Sequence, residues 1–146
     1  MRTEITEWLE DRWQRFEGLR ALLPGGWHLG AVDPDGDPPA GAYAVLNVLA
    51  EDSDRTTEDL HAETVLAQVD VYATTAGGVV AARTELLRGV GGLLRVVDEV
   101  LGGGDVVTTV EASLGGLGVE SQAGPSAERL YRQRMDLVIA VSRGDV

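Results

Sequence analysis

The sequence predicts an α+β domain, with a mainly antiparallel sheet of about four strands and two helices packed on one face, in the order α-β-β-α-β-β. Three observations predict it. Apolar residues recur at three- and four-residue steps near the N-terminus and again past residue 79. Residues 61–73 and 129–142 instead alternate with period two. Clusters of Gly, Pro and Asp separate these segments. With 146 residues and neither an internal repeat nor a shift in composition, residues 1–146 read as one domain.

The first helix is expected over residues 3–23. Ile5, Trp8, Leu9, Trp13, Phe16, Leu19, Leu22 and Leu23 form one apolar stripe, and Pro24-Gly25-Gly26 stops it. Glu4 and Glu7 suit the positive end of the helix dipole. Residues 24–41 read as a loop in which Trp27 and Leu29 mark a short extended piece. The apolar run 42–50 reads as a strand, and Glu51 to Asp59 as a charged loop. In the next strand Val65, Ala67, Val69 and Val71 face one way, and Thr64, Gln68, Asp70 and Tyr72 the other. The two strands form a long antiparallel hairpin.

A second helix is expected over 79–101, from Val79, Ala82, Leu86, Val90, Leu93, Val97 and Leu101. Gly89, Gly91 and Gly92 interrupt it, each at about 1 kcal/mol relative to Ala. They imply either close approach of another backbone or a break in the helix. Asp105 to Ala112 reads as a strand, Ser113 to Ala127 as a flexible Gly- and Ser-rich stretch, and 129–142 as the closing strand. On that last strand Tyr131, Met135, Leu137, Ile139 and Val141 share one face, and Arg132, Arg134 and Asp136 the other.

Composition narrows the function classes. The chain has no cysteine, which removes disulfides, thiolate nucleophiles and Cys-based zinc sites. It has 24 acidic and 12 basic residues, a net charge of −12, and every basic residue is Arg. Such a chain repels a phosphate backbone as a whole and lacks the lysine needed for Schiff-base or phosphate-loop chemistry. High-salt adaptation or a high-GC source would account for the same bias. No apolar run reaches the roughly 18 residues of a membrane span. The charged N-terminus does not read as a signal peptide, so synthesis in the cytoplasm is expected.

No cofactor and no metal are expected. Asp33, Asp35 and Asp37 invite calcium, but counted from Asp33 the glycine falls at position four and Ala44 occupies position twelve, so a structural turn is the simpler reading. The glycine clusters lack the order of a dinucleotide fingerprint. His28 and His61 have no ligand spacing, and a triad drawn from Ser53, His61 and Asp70 has nothing to fix its geometry. Arg129, Arg132 and Arg134 stand out, because a quarter of the basic charge sits in one strand. They either pair with acidic neighbours such as Asp70 or meet another subunit, with the acidic hairpin tip Glu51, Asp52 and Asp54 as the complementary surface.

Three stretches carry a family likeness: Tyr43 to Leu49 with the polar loop Glu51 to Glu58, Thr64 to Tyr72, and Arg129 to Val141. In layout the chain resembles the tail terminator or tail-completion proteins of long-tailed bacteriophages and related gene-transfer particles. It departs from them in its glycine-heavy second helix and its acidity. The resemblance implies a ring, usually a hexamer, at the tail-neck junction of a virion. Such a ring caps the tail tube, stops its polymerisation and joins it to the neck or head-completion protein. DNA passes through the lumen without specific binding. Another head-tail connector or tail tube protein is the nearest alternative, and a small ligand-binding domain or enzyme the more distant one.

Overall fold

The computed structural model describes residues 2–30, 41–55, 61–121 and 129–142. Among these described residues three helices and seven strands follow in the order α1 (Arg2–Arg15), α2 (Glu17–Leu22), β1 (Trp27–Leu29), β2 (Tyr43–Arg55), β3 (His61–Ala73), α3 (Ala76–Arg88), β4 (Glu99–Val100), β5 (Val106–Leu114), β6 (Gly118–Ser121) and β7 (Arg129–Ser142). A short 3-10 turn, Leu93–Arg95, lies between α3 and β4. The expected four-stranded sheet with two helices is therefore wrong. The sheet is a seven-stranded, curled, mixed half-barrel with strand order β1-β2-β3-β7-β5-β4, and β6 also pairs with β7. It is mixed because β1 runs parallel to β2. Bulges between Val48 and Ala50 and between Val107 and Thr109 bend the strands that carry them.

The period-two strands occupy the middle. β3 pairs antiparallel with β2 on one side and with β7 on the other. Val65, Val69 and Val71 of β3 and Met135, Leu137, Ile139 and Val141 of β7 are buried on the same face. Ile5, Leu9, Leu19, Leu23, Val79, Ala82 and Leu86 from the helices complete that core. β2 continues through Glu51–Arg55, the segment expected as a loop, because its backbone stays in register with His61–Val65 of β3. Part of the stretch expected to be flexible is likewise strand: Ser113–Leu114 end β5, and Gly118–Ser121 form β6. Residues 122–127 of that stretch, and the Asp33, Asp35, Asp37 cluster, lie outside the described residues.

Both long helices of the sequence reading are broken. At Phe16 the backbone is extended, with φ −98° and ψ 112°, so 3–23 is two helices instead of one. The Trp13 indole N–H donates to the Leu23 carbonyl (3.2 Å) and holds the resulting turn. The second helix stops at Arg88, well short of 101. The backbone turns extended at Gly89, and the segment beyond it is held by Arg12, which is 4% exposed on α1. Its Nη2 donates to the Gly91 carbonyl (2.6 Å), its Nε to the same oxygen (3.2 Å), and Nη1 pairs with Glu99. Carbonyls that a continuing helix would bond internally are thus turned toward a guanidinium. A Cβ on Gly91 would overlap the Phe16 ring, and one on Gly92 would meet the Leu87 carbonyl. Of the two explanations for these glycines, a break in the helix is the one observed, and at Gly91 it comes with close approach by the Phe16 side chain.

Arg12→Met should cost about 3 kcal/mol of stability in urea unfolding, because the buried Gly91 carbonyl loses its donor and Glu99 its closest ion pair. The half-exposed Arg15, changed in the same way, should cost under about 1 kcal/mol.

Candidate assembly surface

The sheet face away from the helices carries the polar positions of β2, β3 and β7. At its centre Asp70 is 4% exposed. Arg134, opposite it in register, donates from Nε to Oδ1 (3.0 Å) and from Nη2 to Oδ2 (3.3 Å), a two-pronged contact. Arg132 Nε lies 3.3 Å from Oδ1 of the same carboxylate. The hydrogen bond to Asp70, reinforced by the attraction between the charges, raises the Arg134 pKa further. Of the two readings of these arginines, pairing within the chain is therefore realised for Arg132 and Arg134. One row along the face, Tyr43 and Tyr72 stack at 4.8 Å, and His28 meets Tyr43 edge-on while its Nε2 lies 2.9 Å from the Gly25 carbonyl.

β5 and β6 follow one another along the same side of β7. Between them, Gly115 is pinned twice. Its N–H donates to the Arg134 carbonyl (2.8 Å), and its carbonyl accepts from Gln133 Nε2 (2.8 Å). Gln133 is itself buried and accepts from Arg83 of α3 (2.9 Å). The segment Ser113–Val119 nevertheless lies on the surface, with Leu114, Leu117 and Val119 at 49%, 42% and 54% exposure. Behind it a cavity of about 320 Å³ is lined by Gly115, Gly116, Gly118, Val119, Arg132 and Arg134. A second cavity, about 380 Å³, lies between α1 and the β1–β2 strands and is lined by Thr3, Glu7, Leu29 and Leu46 among others.

The remaining sequence candidates fall elsewhere. Glu51, Asp52 and Asp54 belong to β2, opposite Val65, Thr64 and Ala62 of β3, instead of to a loop tip. Arg129 opens β7, opposite Ser121 of β6. Ser53, His61 and Asp70 do not converge, because His61 and Asp70 stand nine residues apart in one strand, about 30 Å at the usual rise. Among the described residues no three His, Cys, Asp or Glu side chains are grouped to hold a metal ion, and no helix is long and apolar enough to cross a membrane. Sequence reasoning missed Arg12 and the Arg83–Gln133–Gly115 chain. Arg12 had a signal, since it sits at i+4 from Trp8 and i−4 from Phe16, on the buried stripe.

No family model and no curated protein matches the sequence. A solved structure does match: a chain from the structure titled "Virion of native gene transfer agent (GTA) particle" aligns with a TM-score of 0.55 over 92% of this chain and 91% of that one, at 20% identity. The two chains share a fold. The alignment covers nearly the full length of both, so the likeness extends beyond one supersecondary unit to the architecture as a whole.

Asp70→Ala should lower stability by about 2 kcal/mol, since it removes the acceptor that both arginines share. Arg132→Gln, which leaves the two-pronged Arg134 contact in place, should cost less than half of that by chemical denaturation.

Proposed function

We propose that this protein is a structural component of a phage-like virion or gene-transfer particle. In this reading it forms a ring, six subunits being the expected number, at the tail-neck junction. The ring caps the tail tube, stops its growth and meets the neck or head-completion protein, and its role is assembly rather than catalysis. The observation that carries the reading is the full-length fold likeness to a chain from a gene transfer agent virion. The exposed apolar segment at the β5–β6 side supports it, because soluble chains seldom leave such a stretch uncovered.

The charge suits a conduit. A hexamer would carry −72 formal charges, six times the −12 of one chain. DNA passing through a bore with that sign slides without sticking. The same charge makes the subunits repel one another, and salt screens that repulsion, from a range of about 10 Å at 0.1 M to about 3 Å at 1 M.

Electron microscopy and native mass measurement of the purified protein, alone and mixed with tail tube subunits, test the proposal. Single closed rings that sit on tube ends are expected. Stacked filaments would instead make it a tube subunit, and a monomer that neither assembles nor caps tubes would refute the reading. Assembly should also strengthen between 0.1 M and 1 M NaCl, a trend opposite to that of an interface held mainly by attraction between surface charges.

A further inference from the structure

We propose that the β5–β6 edge at Leu114–Val119 is the seat for a strand of a second copy of this chain, and that the incoming strand is the acidic end of β2, Glu51–Arg55. This rests on the ring reading above and supplies its contact. On one side β5 pairs with β7, while on the other β4 covers it only at Val106 and Val107. From Thr109 to Leu114, and again along β6, no described strand bonds the outward backbone groups. Proteins that stay monomeric blunt such an edge with charge, proline or a covering element. The run Leu114-Gly115-Gly116-Leu117-Gly118-Val119 has no charge and no proline, and every residue in it is exposed. Glu111 and Glu120 flank it without entering it.

Charge selects the occupant. Arg132 and Arg134 line the cavity directly behind this edge. The Arg134 side chain is 42% exposed, holds Asp70 through Nε and Nη2, and borders this cavity of about 320 Å³, a space large enough for a carboxylate. At the opposite border of the same sheet, β1 covers β2 only at Ala44–Leu46. Beyond that cover β2 carries Glu51, Asp52 and Asp54 within four positions. One border of the sheet is backed by arginine, and the other ends in a strand segment whose sequence is acidic. Two arginine-backed borders brought together would repel, whereas head-to-tail contact pairs unlike charges, and its repetition closes a ring when the rotation between subunits closes. Main-chain bonds from β5 and β6, on either side of the already bonded Gly115, would supply the affinity of such a joint, and the carboxylate at Arg134 its register.

The absence of cysteine makes the test direct. Leu117→Cys is combined in the full chain with Glu51→Cys, Asp52→Cys, Ser53→Cys or Asp54→Cys in turn, and each assembled protein is oxidised. At least one pair should give a ladder of covalent oligomers ending at the ring size, while the single variants should give none. Leu117→Cys alone forming a covalent dimer would mean that like edges meet, which overturns the proposal. Linkage of Leu117→Cys to a tube or neck protein, but not to a second copy, would overturn it too. Rings that form but never cross-link refute the contact and leave the ring reading standing, whereas an unassembled native protein removes both. Leu117→Lys should weaken assembly by about tenfold or more, and Val97→Lys, at an exposed site elsewhere, should not.

Discussion

Arg12 reaches from the first helix into the bend that follows the third, and much of the architecture is arranged around that reach. Its guanidinium takes the Gly91 carbonyl, pairs with Glu99 and lies 5.3 Å from the ring centres of both Trp8 and Phe16. A buried charge in this position is tolerable only because its donors meet carbonyls and a carboxylate. The contact ties α1 to the bend after α3 and to the first residue of β4. It therefore bears on the surface as well as the core. A chain drawn beneath α1 at Gly91 returns to the sheet as a two-residue strand, and that strand leaves most of β5 uncovered.

A second anchor holds the other face. Asp70 is removed from water and satisfied by Arg134 and Arg132 from the neighbouring strand. On the core side, Gln133 links Arg83 of α3 to the Gly115 carbonyl. The glycine-rich step between β5 and β6 is thus held firmly at one residue, while the residues after it stay at the surface. A pinned, exposed and uncharged edge loses little conformational entropy when a partner strand adds to it.

The strands with period two were legible because half-buried strands write their burial directly into the sequence: Val65, Ala67, Val69 and Val71 alternate with polar residues, and Met135, Leu137, Ile139 and Val141 do the same. Strand order was not legible, since pairing partners leave no local signal. Phe16 shows why the N-terminal helix was read as continuous: a one-residue break leaves the three-and-four spacing intact on both sides. Glu51–Arg55 were read as a loop from polarity, yet a long partner strand keeps their backbone in register. The short β1 was marked by Trp27 and Leu29, whereas β4 and β6 are set by tertiary contact, not by propensity. Of the candidate site, Arg132, Arg134 and Asp70 were visible as a charge pattern. The apolar edge beside them was hidden in a stretch whose glycines suggested only flexibility.

In the proposed ring the joining surface must be stable in the free subunit, and the β5–β6 border, lined by two arginines in a strongly acidic chain, is the surface proposed for it. Amide hydrogen exchange across residues 109–121, measured at dilutions where the subunit is free and at concentrations where it assembles, tests this most directly. The account predicts marked slowing at Leu114–Val119 on assembly, with little change at the buried strand β3. Equal exchange at that edge in the free and assembled states would contradict it.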